Sequence, residues 1–493
     1  MARRVKSMAS ITYDEGAHLL RRMGFGGDPA DIEEILSLGR EGAVDFLINF
    51  KQTDNRALDD LLRSSFDFSD PMDFPRFNRG ELQRWWFTRM VHTRRPFEEK
   101  MTLFWHNHFA TSASKTGDVL IYNQNLTLRE HSLDQFDNLL LKVSQDPAML
   151  LWLDGVTNVS GKPNENFARE LQELFSMGIN DVVTGEPNYT EEDVKEIARA
   201  FTGWKFFHPR FDPNPFSYQF IVNQPEHDNT IKSIYSGKQW ARSGNLGGED
   251  VISIISARRA TARYLAKKLF EFFVYPMDGS PGDKATIEKF ADVYMTRNHS
   301  IMELVRAIFI SDEFYGDRAR FGLVKSPVEI IVGAIRMLGA RYNPGTSARQ
   351  GDSNNTPAAI SIFLGQELFN PPDVAGWKLN LGWINTSTLL NRFTYADLLV
   401  INRPRDLNAP GLWLSHEQLR SLSKKNSKKT VKKLLSTLGP LEVGGEMIAA
   451  FRAYLESDDQ GNPTGFVRDD VTLDKKVRGL IHLMMCLSEF QLN

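Results

Sequence analysis

The sequence predicts a mainly α-helical fold, a multi-helix globular core with a long irregular, loop-rich insertion. Three observations predict it. Apolar residues return at three- and four-residue steps over most of the chain. Helix-start signals stand in front of several of those runs. Proline, glycine and alternating aromatics concentrate in a single stretch, where the helical period is lost. With 493 residues, a hydrophobic fraction of 41% and a charged fraction of 25%, the chain can bury a large core and divide into subdomains without covalent staples.

Residues 1–80 read as an N-terminal helical segment. AHLLRRM at Ala17–Met23 is amphipathic, and Asp28-Pro29 supplies an N-cap and a first-turn proline for a helix that closes at Gly39. The run Gly24-Phe25-Gly26-Gly27 follows a helix rather than a strand, so it reads as a helix end and not as a phosphate loop. Residues 81–202 read as a central bundle, with helices at Glu81–Arg94, Phe97–Ala110, Asp118–His131, Leu133–Ser144 and Asn164–Met177. Residues 203–249 form the insertion, in which Pro209, Pro213, Pro215 and Pro225 argue loops while Phe216, Tyr218 and Phe220 allow one small hairpin. Residues 250–400 return to helix at Val251–Tyr275, Lys284–Arg297, Ile301–Ser311 and Pro327–Leu338, with a polar loop at Tyr342–Thr356 and the PPDVAGW loop. Residues 401–493 hold the C-terminal helices and the one strong basic cluster, LSKKNSKKTVKKLL at Leu422–Leu435, whose plain reading is a solvated helix face.

Charge and cysteine content exclude several classes. The 59 basic residues nearly balance 62 acidic ones, a net charge of -3, so no nucleic-acid partner is expected. A single cysteine, Cys486, excludes an internal disulfide and a thiolate zinc cluster. No run reaches the ~20 apolar residues that a membrane span needs. The first residues, MARRVKSMASITYDEG, lack the apolar stretch of a secretory signal, so the chain as written is expected in the cytoplasm.

Long phrases recur along the chain: AHLLRRMGFG at Ala17–Gly26, PFEEKMTLFWHNHFATS at Pro96–Ser112, QNLTLREHSLDQF at Gln124–Phe136 and DPAMLLWLDG at Asp146–Gly155. They continue with PNENFARELQELFSMGI at Pro163–Ile179, YTEEDVKEIARAFTGW at Tyr189–Trp204, HDNTIK at His227–Lys232, VKSPVE at Val324–Glu329, LFNPPDVAGW at Leu368–Trp377 and LSEFQ at Leu487–Gln491. In content and order these resemble the bacterial family called domain of unknown function 1800. The resemblance implies a shared fold over nearly the whole chain, and an exported protein if a leader has been removed. It assigns no activity, which must be argued from the residues.

The densest polar grouping lies between Glu98 and Glu173. Steps of four and three place Asn166, Glu170 and Glu173 on one helical face, with Glu165 and Arg169 paired on an adjacent one. Carboxylates one turn apart can share a proton, bind a divalent cation or pair with arginines. His106 and His108 point about 200° apart on a continuous helix and converge only if the helix ends near Asn107. Glu99, two turns before His106, could orient its ring. The sharp expectation is a site of His106, His108, His131, Glu170, Glu173 and Glu165, charge-balanced by Arg129 and Arg169, facing the helix of Trp105 and His106. A divalent metal there would use His106, His108, Glu170 and Glu173. The competing expectation is that these residues tie helices together. A second grouping, Trp204, His227, Asp228, Asp373 and Trp377, with Asn164 and Asn166 nearby in the first, has the aromatic faces and short polar groups that suit a glycan or another small polar substrate. The loops Gly203–Glu249 and Pro371–Trp383 would then share one mouth. The plain alternative is that these tryptophans fill core. Two functions follow: acid/base or metal-assisted hydrolysis of a hydroxyl-rich substrate, with Glu170 or Glu165 as acid/base, or a non-catalytic binding or assembly protein.

Overall fold

The computed structural model describes residues 10–66, 68, 77–210, 212, 214, 216–345, 356–402 and 411–493. Helix makes up 59% of the molecule and, among the described residues, strands occur only as short pairs, so the fold is mainly α. Pro213, Pro215 and most of the Tyr342–Thr356 loop lie outside the described residues.

Local chemistry sets the helix ends. Thr12 and Glu15 form a reciprocal capping box on the Tyr13–Met23 helix, and Asp28 caps Pro29–Leu36 with the proline in the first turn. The Gly24–Gly27 run ends the first helix: Gly26 takes φ 85° and donates its N–H to Leu20 O at 3.1 Å. Further helices run at Arg79–His92, Pro96–His108, Asp118–Glu130 and Phe136–Ser144, close to their periodic runs. The Val251–Tyr275 run is two helices, Gly248–Ser256 and Arg259–Phe273. Arg258 leaves the helix in extended geometry (ψ 138°) and lays its guanidinium 3.7 Å over the Trp240 ring, which breaks the run between two stretches of good period. The Asn164 run is likewise shorter than its pattern. Its helix spans Asn166–Glu173, and Gly178 (φ 78°) closes the turn onto Gln172 O at 3.0 Å.

The insertion holds two hairpins rather than one. Trp204–Phe207 pairs antiparallel with Gln219–Val222, and Lys232–Ile234 with Arg242–Gly244. A third pair, Arg341–Asn343 with Gly411–Trp413, joins segments too far apart in sequence for hairpin signals to reveal.

Two hydrophobic cores form. One gathers Ile11–Phe50 with apolar residues from Phe97 to Ala319, and the other joins residues of the Arg79–His92 helix to apolar residues from Val328 to Phe490. The Pro96–His108 helix is the wall between them. Phe97, Met101, Phe104 and Trp105 enter the first core and Leu103 the second, and every residue of the helix except Asn107 is buried.

Packing beside the first hairpin is tight enough to test. A Cβ on Gly248 would lie 2.2 Å from Trp204 Cζ2 and 2.7 Å from Phe201 Cε1. Gly248→Ala is therefore expected to cost ~1–3 kcal/mol by overpacking, read as a lowered midpoint in thermal denaturation. An unchanged midpoint would mean that Trp204 is not wedged there.

Candidate functional site

The polar groups of the Pro96–His108 helix are spent on its neighbours. Glu99, fully buried, accepts from Trp86 Nε1 at 2.9 Å, from Arg89 Nε at 2.8 Å, and from Arg129 Nε and Nη2 at 3.2 and 3.0 Å. Burial alone would raise its pKa, but the guanidiniums of Arg129 and Arg89 hold it down to about 2. Lys100 pairs with Glu329, the capping residue of the Pro327–Leu338 helix. Trp105 Nε1 donates to Ser132 O at 2.8 Å.

The two histidines diverge. The helix runs through His108, so the turn of about 200° between the rings persists and they do not converge. His106 Nε2 accepts the backbone N–H of Phe369 at 3.1 Å, with its ring 5.2 Å from Trp86 and 5.6 Å from Trp377. His108 Nε2 donates to Phe175 O at 3.0 Å. Burial pushes both down to about 3, for His108 with help from the Lys268 charge, so both are neutral near pH 7. His131 turns to Asp134, Nδ1 to Oδ2 at 3.0 Å. Glu99 orients Trp86 rather than the His106 ring. Among the described residues no three His, Cys, Asp or Glu side chains gather as a metal-ligand set, so His106, His108, Glu170 and Glu173 do not form the expected centre.

The carboxylates of the Asn166–Glu173 helix lie elsewhere. Asn166 is exposed and Glu165, Glu170 and Glu173 are half-buried, which corrects the expectation that this face turns inward toward His106. The reason is the opposite face: Phe167, Ala168, Leu171 and Gln172 are the buried ones. Arg169 binds Glu191 at 2.9 and 2.7 Å and Glu165 at 3.4 Å, and Glu173 takes the Tyr189 hydroxyl. Glu170 differs, because its carboxylate has no hydrogen-bond or ion-pair partner among the described residues. Burial, then the charge of Glu173, raises its pKa, and Arg169 offsets only part of this.

At the start of this helix lies a cleft of about 440 Å³ lined by Thr157, Lys162, Pro163, Asn164 and Glu165. The turn at Asp154 adjoins it through Asn164 and Asn166. Asp154 sits in left-handed geometry (φ 58°, ψ 23°), costly for a non-glycine residue. Lys115 Nζ holds one Asp154 oxygen at 2.8 Å, and Asn166 Nδ2 reaches the other at 3.4 Å. Asn164 donates to Thr157 Oγ1 at 3.2 Å, while buried Asn158 accepts Asn164 N–H at 2.9 Å and donates to Ala198 O at 2.8 Å. The insertion backs the cleft through Ser160 N–H to Glu226 O at 2.8 Å. Sequence reasoning missed Asp154, Lys115 and Thr157. The Asp154-Gly155 turn dipeptide before the Asn164 phrase was the available signal.

The aromatic grouping is core. Trp204 is 1% exposed, edge-on to Phe201 and Phe220 at 4.7 and 4.9 Å. His227 Nδ1 donates to Thr202 O at 2.7 Å, and Asp228 accepts from Arg199 Nε at 2.9 Å and from Thr230, partners that keep its pKa well below the usual range against the opposing effect of burial. Trp377 is 7% exposed, its N–H donating to Asn107 Oδ1 at 2.7 Å, and Asp373 accepts Ala375 N–H at 2.8 Å. Gly376 (φ 79°) lets that loop pass the helix end, where a Cβ would stand 2.3 Å from Asn107 Oδ1. The two loops are thus anchored on different elements, and neither tryptophan offers a face to a sugar.

The family model described as a protein of unknown function (DUF1800) matches residues 18–492. The chain belongs to the DUF1800 family. No curated protein and no solved structure matches the chain. In this DUF1800 chain the HNH phrase at His106–His108 is a packing hub, whereas the DG and PNEN phrases border the open cleft.

The Glu99 network generates a test. Glu99→Gln leaves Arg89 and Arg129 in the interior with only the more distant Glu98, 4.0 Å from Arg89, to balance them, and is expected to cost ~3–5 kcal/mol in urea denaturation. Because the folded pKa is depressed to about 2 from an ordinary 4.5, the Glu99 contribution is fully present above pH 4.5 and fades as pH falls toward 2. The gap between native chain and variant should close across that window. A gap independent of pH would show that the carboxylate charge is not what stabilises.

Proposed function

We propose that this DUF1800 chain is a hydrolase of a hydroxyl-rich substrate, a glycan in the first instance, working by carboxylate acid/base chemistry in the cleft beside Asp154, Asn164 and Glu165. The single observation that carries the reading is Glu170. It is a half-buried carboxylate with a raised pKa and, among the described residues, no hydrogen-bond or ion-pair partner, one helical turn from Asn166, which itself reaches Asp154 beside the cleft. A carboxylic acid in that state can give its proton to a leaving-group oxygen. Glu165 at the rim is the candidate base for an attacking water, its charge shared with Arg169 at 3.4 Å. Asn164 and Thr157 supply the hydroxyl-directed hydrogen bonds.

A second reading, a non-catalytic binding or assembly protein, draws support from the hub, where Glu99, Lys100, His106 and the Nε2 of His108 hold neighbours.

Glu170→Gln separates the two. The substitution keeps the volume and removes a charge that the fold disfavours, so the thermal midpoint is expected to stay or rise. Release of reducing ends from a panel of oligosaccharides is expected to fall by ~10²–10⁴-fold. A large drop in midpoint would make Glu170 a structural group and sink the assignment.

A further inference from the structure

The cluster around the Ser427–Thr437 helix is unlike the other charges of this molecule. Lys424, Lys425, Lys428, Lys429 and Lys432 are exposed and Lys433 is half-buried. None of the six side chains forms an ion pair or hydrogen bond with a described residue, although most arginines of the chain are paired. At about 100° per residue, Lys428, Lys429, Lys432 and Lys433 cover an arc of about 140°. Thr430, Val431, Leu434 and Leu435 fill the opposite side and are buried. The helix is therefore fixed to the body by its apolar side and presents a dense cationic side outward. Acidic neighbours stand at its borders: Asp28 and Glu33 act on Lys433, Glu456 accepts the Ser427 hydroxyl, and exposed Asp469 and Asp470 follow Arg468, with Asp470 paired to Arg420. Arg468 extends the patch, its Nε donating to Ser423 Oγ at 3.0 Å, and beside it Val467 is 62% exposed, with Val471 at 65% on the short helix that follows.

We propose that this face is a docking surface for an anionic lipid bilayer, held by the lysines and edged by Val467 and Val471. The chemistry selects this partner. Lysine is a compact, hydrated point charge suited to a diffuse anionic surface, whereas nucleic-acid recognition draws on arginine forks and stacking aromatics, and no aromatic residue interrupts the run. On a chain of net charge -3, binding through this patch would also orient the molecule. The idea is independent of the cleft and its carboxylates.

The test is co-sedimentation of the full chain with vesicles of phosphatidylglycerol in phosphatidylcholine, against pure phosphatidylcholine vesicles. Binding is expected only to the anionic vesicles, and it should weaken as salt is raised. In the exposed triple variant Lys428→Glu, Lys429→Glu, Lys432→Glu, partitioning is expected to fall by at least about a hundredfold, since each lysine contributes about fivefold near an anionic surface. An unchanged thermal midpoint would show that this variant is folded. If it is not, the milder Lys428→Gln, Lys432→Gln pair serves, with about a 25-fold loss expected. No binding at low salt, equal binding to neutral vesicles, or a variant that binds like the native chain overturns the proposal. So does patch-dependent binding of a single-stranded oligonucleotide in place of the vesicles.

Discussion

One buried helix carries more polar side chains than a core helix can leave unanswered, and the rest of the architecture is arranged to answer them. Pro96–His108 separates the two hydrophobic cores, and it brings Glu98, Glu99, Lys100, His106 and His108 inside. An ionised group in such a place is tolerated only when paired and hydrogen-bonded. Each of four therefore recruits a different element. Glu99 draws in the Arg79–His92 and Asp118–Glu130 helices through Arg89 and Arg129, and Lys100 draws in Pro327–Leu338 through Glu329. His106 fixes the Phe369 loop and His108 the turn after Glu173. The helix stitches N-terminal, central and C-terminal parts together with groups whose geometry apolar packing alone would not specify.

Much of the fold was legible in the sequence because its helices are long, periodic and capped by short-range signals. The Pro327–Leu338 helix agrees at both ends because Ser326, Pro327 and Glu329 form a complete start signal and Gly339 a left-handed stop. The failures share one cause, long-range contacts that override local pattern. Arg258 leaves its helix for Trp240, and the Arg341–Asn343 strand finds Gly411–Trp413 across a large separation. The Arg79–His92 helix, grouped by sequence with the central bundle, buries Trp85, Trp86 and Phe87 with the C-terminal core.

For the Asn166–Glu173 helix, the spacing shows which carboxylates share a face but not which way that face turns. Asn166, Glu170 and Glu173 share a face, as spacing requires. Yet period alone does not say which face meets the core when Phe167 and Leu171 stand one position away. The tryptophans left two readings open for a related reason. Aromatics amid prolines and glycines look alike whether they rim a pocket or plug the space beneath loops, and Trp204 and Trp377 do the latter.

Glu99 and Glu170 show how environment divides one residue type into two roles. Both lie on helices and both pay for desolvation, yet two guanidiniums and an indole N–H surround Glu99, and its pKa falls despite complete burial. Glu170 is only half-buried and still shifts upward, because burial and then the charge of Glu173 outweigh Arg169, which is also bound to Glu191. Burial depth therefore does not set the direction of the shift. What matters is whether the surroundings complete the charge, as they do for Glu99 and do not for Glu170. Burial and pairing are thus separate controls: the deeper carboxylate is held ionised by its partners, while the half-buried one is shifted toward its neutral form.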